Sequence, residues 1–370
     1  MLLLVLLVFH VLCYTLARPP TADTGGHSHP GPSVSWTDLM SGQGAGVEAE
    51  EAAPPLHPDF CGTRPGLEDA ETSGPDSRIV GGAAARWGEV PWQAALVRAG
   101  HQIVCGAAVV SRHVVHVWLC KYDVQVSSRH VLTAAHCLKL APASYRVVVG
   151  SLARVPGPGR GQELRVVRAV THPAFSPRTL EQDLAVVRLE TSWGQGLAFS
   201  PWVVPACLPR PAQPGLYTPG TRGLVSGWGV LAENSTALSD SLQVASLGLV
   251  SQQTCAASYS GVTSISSDQF CAGSEDAALA RDACAGDSGG PLAVLEAGRW
   301  HLAGLVSFGL GCGRAEHPGV YTRLDTALAW ILDTMDSMDA FLDITLKEEG
   351  EEQLESLQVN CIIWKLERCF

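Results

Sequence analysis

Between residues 79 and 330, short apolar or alternating runs are separated by turns rich in Gly, Pro and Ser; QIVCGAAVV, YRVVVG, LAVVRL, GLVSGWG and HLAGLVSF are the clearest. Runs of this length and spacing suit strands paired through tight turns, and they predict an all-β sandwich or barrel. The 38 glycines and 23 prolines among 370 residues argue against a helical bundle, since both residues interrupt helices. Only the stretch from Asp325 to Met335 has helical spacing, with Leu328, Ile331, Leu332 and Met335 on one stripe.

The two ends read differently from this middle. An apolar run from Leu2 to about Leu16, followed by the small residue Ala17, is expected to be a secretory signal peptide over 1–17, although it lacks a basic residue at its start. It is short for a membrane span and contains His10, and no later run of 18 apolar residues occurs, so no span is expected in the mature chain. Twelve cysteines behind such a leader read as a disulfide framework. There is no CxxC pair and no HExxH, so neither a metal nor a cofactor is expected. Removal of Cys13 with the leader leaves an odd number of cysteines. Residues 18–78 are rich in Pro, Gly, Ala, Ser and acidic groups and are expected to be a loosely attached, largely disordered propeptide or light chain. The tail, 336–370, contains the acidic stretch KEEGEEQLESLQ, read as a solvated face. The net charge of −11 divides into about +3 for the middle and −7 for each flank, which argues against nucleic-acid binding through bulk charge.

Chemistry concentrates in three places. CAGDSGGP sets Ser288 among glycines that permit tight turns and close approach of a substrate to backbone N–H groups. A hydroxyl needs a base within hydrogen-bond reach, and the base needs an orienting partner. His136 follows the predicted strand in LTAAHC, and Asp183 precedes the one in EQDLAVV. Any Ser, His and Asp taken alone would be a weak signal; their local contexts strengthen it.

Those contexts are RIVGG (78–82), LTAAHC (132–137), DLAVVRL (183–189), GWG (227–229), DACAGDSGGP (282–291), SFG (307–309) and HPGVYTRL (317–324). In order and spacing they resemble the trypsin-like branch of the chymotrypsin family of serine endopeptidases, over Cys61 to about Trp330. The resemblance implies two antiparallel Greek-key β-barrels with a C-terminal helix and an active site between the barrels, a protease domain at 79–335. It implies that Ser288 attacks the scissile carbonyl, that His136 relays its proton and that Asp183 orients the imidazole, with the Gly286 and Ser288 N–H groups as oxyanion hole. Asp282 would sit at the base of the primary pocket, with Gly309 and Gly319 at its walls and Ser307–Gly309 pairing with substrate backbone. Cleavage after Arg or Lys follows, with Arg favoured because Ala283 stands where some relatives carry Ser. RIVGG implies a zymogen: a cut after Arg78, by another protease or by the chain itself, would free the Ile79 amine to pair with Asp287. The bridges implied are Cys61–Cys207, Cys105–Cys137, Cys255–Cys271 and Cys284–Cys312. Val244 and Val294 are read as filling the two ends of a further bridge common in relatives. Ser151 stands where calcium-binding members carry an acidic residue, and Pro318 where sodium-binding members need a tyrosine, so neither ion is expected. The protein is therefore expected to be extracellular, to act on proteins and peptides, and to meet protein inhibitors. Asn234-Ser235-Thr236 is an N-glycosylation sequon.

One departure weighs against this picture. SRHV occurs at 111–114 and again at 128–131, and deleting 114–130 would restore an uninterrupted hairpin leading to His136. The 17 extra residues include Trp118 and Cys120. Two readings stand: a loop extending a turn, where insertions are best tolerated, or two copies competing for one strand register, giving an inactive binding or decoy protein. Cys120, Cys361 and Cys369 have no partners in the family pattern.

Overall fold

The computed structural model describes residues 61–67, 82–98, 102–110, 129–155, 161–192, 194–210, 213–233, 235–274 and 282–339. The signal-peptide, activation-cut (Arg78, Ile79), glycosylation (Asn234) and unpaired-cysteine (Cys120, Cys361, Cys369) expectations, and nearly all of the light chain and tail, lie outside the described residues.

Thirteen strands are found among them. β1 (Ala83–Ala84) lies on the edge of the second sheet. The first barrel comprises β2 (Gln93–Arg98), β3 (Gln102–Val110), β4 (His130–Thr133), β5 (Arg146–Val149), β6 (Gln162–Thr171) and β7 (Ala185–Glu190), closed in the order β2-β3-β4-β7-β6-β5. The second comprises β8 (Arg222–Gly227), β9 (Gln243–Leu249), β10 (Gln269–Gly273), β11 (Pro291–Glu296), β12 (Arg299–Phe308) and β13 (Gly319–Arg323), ordered β9-β10-β13-β12-β11-β8 and closed by β8 on β9. Both barrels thus wind identically: first, second, third, sixth, fifth, fourth. All ladders are antiparallel, and closure removes the open edges that a flat sheet would present. The short apolar runs of the sequence become β3, β5, β7, β8 and β12. Val, Ile, Leu and Ala fill both interiors; Leu96, Val109, Val131, Val147 and Val187 are buried in the first, and Val225, Leu247, Leu292, Val306 and Tyr321 in the second. Ala297 (φ 50°) and Gly298 (φ 77°) make the two-residue turn from β11 to β12, the left-handed pair that matches strand twist.

Helix α1 (Gln252–Ser258) escapes the sequence pattern because seven residues give too few turns for a stripe; its cap is plain, Ser251 Oγ accepting the Thr254 N–H at 3.1 Å. The expected C-terminal helix opens with a tight turn at Asp325–Ala327 and continues as α2 over 328–339. Ile331 and Met335 are fully buried, each contributing about 2–3 kcal/mol of hydrophobic stabilisation, whereas Leu328 and Leu332 are half-buried. From the light-chain segment, Cys61 bonds Cys207, and the Arg64 guanidinium lies 4.0 Å from the Trp300 ring centroid and 5.4 Å from that of Trp92.

One expectation needs correction. Val244 and Val294 are not partners: Val294 faces Gly223 across the β8–β11 ladder, while Val244 faces Ser226 and Ala83. Val244 lies on β9, which does not pair with β11, and the residue opposite Val294 is a glycine of β8 whose missing Cβ leaves room for Leu292. Of the duplicated segment, the described residues begin at Arg129. His130 pairs with Val110, Val131 with Val109 and Leu132 with Ala108, so the last two residues of the second SRHV copy begin β4. Within the described residues β4 follows β3 in register and pairs equally with β7. Removing 111–127 or removing 114–130 leaves the same chain, so the sequence counts 17 additional residues either way.

Candidate active site

Asp183 is the centre of the site. It lies just before β7, is fully buried, and receives hydrogen bonds from both barrels. Its Oδ1 accepts the His136 backbone N–H at 3.0 Å, and its Oδ2 lies 2.7 Å from His136 Nδ1. Ser307 Oγ in β12 donates to the same Oδ2 at 2.6 Å, and Thr322 Oγ1 in β13 donates to the Asp183 carbonyl at 3.0 Å. An ionised carboxylate only accepts, so Nδ1 carries the proton and Nε2 is left as the basic nitrogen of the imidazole. His136 stands on a 3-10 turn just after β4, with its side chain 26% exposed.

Ser288 lies in the turn between Cys284 and β11, packed against the strands that carry His136. Its carbonyl accepts the Gly106 N–H at 2.8 Å, and Cys137 Sγ is 3.9 Å from the same oxygen. Gly289 (φ 77°) must be glycine, because a Cβ there would strike Gly106 O and Thr133. Gly286 (φ 100°) is likewise restricted, by its backbone and by Leu238. Among the described residues, the N–H groups of Gly286 and Ser288 have no acceptor. Cys105, His136 and Cys137 cluster beside this turn, but both sulfurs are spent in a disulfide and form no ligand set.

Two buried carboxylates flank the turn. Asp287 accepts the Gly229 N–H at 2.7 Å and the Cys284 N–H at 2.9 Å, and burial pushes its pKa up to about 6. A Cβ at Gly227 or Gly229 would collide with this carboxylate, which is what the two glycines of GWG are for. Asp282 is 2% exposed and accepts the Ala283 N–H at 2.8 Å and the Gly313 N–H at 3.3 Å. Burial pushes its pKa up to about 7 despite those bonds, and the nearby Asp287 charge adds a smaller push. Among the described residues neither carboxylate forms an ion pair. Gly319 leaves the space in front of Asp282 open, since a Cβ there would come within 2.6 Å of Asp282 Oδ1; Gly309 faces it, its own Cβ position 4.0 Å from Gly319 Cα. The Tyr321 hydroxyl is buried nearby without a partner among the described residues. Cys284–Cys312 joins the two walls, and a cavity of about 130 Å³ reaches Asp282 from the α1 side.

The family model described as Trypsin matches residues 79–331. The chain belongs to the trypsin family. Among its relatives, transmembrane protease serine 9 of Rattus norvegicus is 36% identical over 282 residues, which cover 75% of this chain and 24% of the relative. Transmembrane protease serine 5 of Homo sapiens is 37% identical over 281 residues, covering 74% and 53%. Mannan-binding lectin serine protease 1 of Mus musculus is 33% identical over 273 residues, covering 69% and 35%. The chain thus spans between about a quarter and a half of the length of these relatives. Among the described residues of this trypsin-family chain, no helix is long and apolar enough to cross a membrane.

All four family-derived disulfides are present. Sequence reasoning placed Ser307 in the site as backbone only; its hydroxyl on Asp183 was not foreseen, nor was that of Thr322. No sequence signal marks either, because both bonds depend on how β12 and β13 cross the first barrel.

Proposed function

We propose that the chain is an extracellular serine endopeptidase, made as a zymogen, that cleaves after arginine and less readily after lysine. The observation that carries the reading is the convergence on Asp183 of His136 and Ser307, beside a serine turn with two N–H groups that have no acceptor among the described residues. In the proposed reaction, Ser288 Oγ attacks the substrate carbonyl as its proton passes to His136 Nε2. Asp183 stabilises the imidazolium through Nδ1, and the Gly286 and Ser288 N–H groups receive the developing oxyanion. The imidazolium then protonates the leaving amine, and a water molecule repeats the cycle on the acyl-enzyme. Asp282, with no ion pair among the described residues, suits a guanidinium, which brings charge-assisted bonds to a buried carboxylate. Hydrolysis of a small arginyl amide by secreted protein, before and after a controlled cut at Arg78, tests the reading; an inactive cleaved chain would refute it.

Activation follows the same logic. Asp287 is a buried carboxylate raised by desolvation, and a buried charge is best stabilised by a partner charge. The Ile79 ammonium freed by cleavage after Arg78 is that partner in this reading. Arg78→Gln should leave hydrolysis at background after treatment with an arginine-specific protease, while the wild-type chain gains activity. Equal activation of both would place the activating cut elsewhere.

The ordered β3–β4 pairing favours the enzyme over the inactive reading, because the strand leading to His136 keeps its partners on both sides. Deleting 114–130 should therefore change kcat/KM on a small arginyl amide by no more than about threefold, the effect of a tolerated surface insertion. Activity confined to the deleted form would reverse the choice.

A further inference from the structure

The segment that delivers Asp183 is held from the other barrel. Leu180 (φ 55°) and Gln182 (φ 49°) both occupy the left-handed region, and neither is a glycine or an asparagine. They lie within three residues of Asp183, with no hairpin turn to make that conformation ordinary. Local bonds only partly account for them: Leu180 N–H donates to Ser176 O at 2.8 Å, Ser176 N–H to Glu181 O at 3.1 Å, and Leu184 N–H to Gln182 O at 2.7 Å. The remaining two bonds come from the start of β10. Asp268 Oδ2 accepts the Gln182 N–H at 2.6 Å, and Gln269 Nε2 donates to the Leu180 carbonyl at 3.0 Å.

Both side chains are themselves fixed. Asp268 is 7% exposed and Gln269 fully buried. Ser266 Oγ donates to Asp268 Oδ1 at 2.5 Å, the Ser266 N–H donates to Gln269 Oε1 at 3.1 Å, and the Arg323 N–H donates to the Asp268 carbonyl at 2.8 Å. The clamp therefore grips both left-handed residues at once, one by its N–H and the other by its carbonyl. A backbone held in a sparsely populated conformation persists only where its surroundings impose it. Here the consequence falls on the next residue, whose carboxylate must meet His136 at two points.

We propose that Asp268 and Gln269 are positioning residues that hold the 180–182 backbone in the conformation from which Asp183 orients His136. The inference rests on the protease reading for its kinetic consequences, but its geometry does not. Asp268→Ala removes the acceptor for the Gln182 N–H, whereas Asp268→Asn keeps an oxygen for it and turns its amide nitrogen toward Ser266 Oγ. Gln269→Met keeps the volume and removes the donor to Leu180.

Three readouts on the cleaved full chain test this. In steady-state hydrolysis of an arginyl amide, Asp268→Ala and Gln269→Met should lower kcat about ten- to a hundred-fold, as misplacement of a catalytic group does, with KM within about twofold. Asp268→Asn should retain kcat to within about threefold, and adding Gln182→Asn to Asp268→Ala should recover part of the loss, because asparagine tolerates the left-handed conformation. In proton NMR, the far-downfield resonance of the His136 Nδ1 proton should broaden or shift in Asp268→Ala and Gln269→Met and persist in Asp268→Asn. A lowered unfolding temperature with unchanged kcat and an unchanged resonance would overturn the proposal, as would equal damage from Asp268→Asn and Asp268→Ala. Should the parent chain not hydrolyse peptides, the resonance still decides, so failure of the clamp and failure of the protease reading are distinguishable.

Discussion

Ser288→Ala should lower kcat on an arginyl amide by roughly a million-fold in the cleaved chain, on the scale measured for removal of a serine nucleophile elsewhere. The reason is that His136, fixed by two bonds to Asp183, has nothing else to deprotonate but water. Some catalysis should survive, roughly a thousand-fold or more above the uncatalysed rate, from the Gly286 and Ser288 N–H groups and the pocket. Affinity for a benzamidinium ion, measured by calorimetry, should stay within about twofold, since each 1.4 kcal/mol lost would be tenfold and Asp282 is untouched. Folding should also be spared: Ser288 is only half-buried, and its backbone carbonyl, not its side chain, holds Gly106. His136→Ala in the same background should add almost nothing, because residues acting as a unit are not additive. Full activity in Ser288→Ala would sink the assignment of the nucleophile.

What was legible in the sequence was whatever is encoded within a few adjacent residues. β3, β7 and β12 announce themselves as apolar runs, and Ser288, His136 and Asp183 stand at strand ends within short motifs. Asp287 and the glycines of GWG were visible too, but not their relation: only the folded chain brings Gly227 and Gly229 against a carboxylate some 60 positions later. The same holds for the donors from Ser307 and Thr322 and for the clamp at Asp268. Each joins elements whose encounter depends on barrel closure, which no local pattern specifies. The misplaced pairing of Val244 with Val294 shows the same weakness: β11 pairs with β8 and not with β9, and that neighbour is fixed by barrel closure rather than by any local pattern. The duplicated SRHV could not be resolved by pattern at all, since both copies are equally good strands. Among the described residues, His130 and Val131 of the second copy begin β4 and pair with both β3 and β7.

Asp282→Ser should lower kcat/KM on arginyl substrates by roughly ten-thousand-fold, the penalty for losing a group built to bind a polar substrate, while leaving hydrolysis after a neutral residue nearly unchanged. A second consequence concerns the empty pocket. Burial raises the Asp282 pKa from 3.8 to about 7, so ionisation is harder in the folded chain than in the unfolded one. The resulting destabilisation is absent below about pH 4, grows as pH rises, and is complete above about pH 7. The serine variant should therefore be the more stable protein at pH 8, by on the order of a few kcal/mol, with the difference vanishing toward pH 4; urea unfolding at the two pH values measures it. Activity has the opposite dependence, because the guanidinium needs the carboxylate. The ratio of kcat/KM for an arginyl over a neutral substrate should fall as pH drops through about 7, and taking the ratio cancels titrations common to both reactions. In Asp282→Ser that ratio should be flat. A ratio in the wild-type chain that is flat from pH 8 to pH 5 would mean that Asp282 is not what recognises the basic side chain, whatever the preference for arginine.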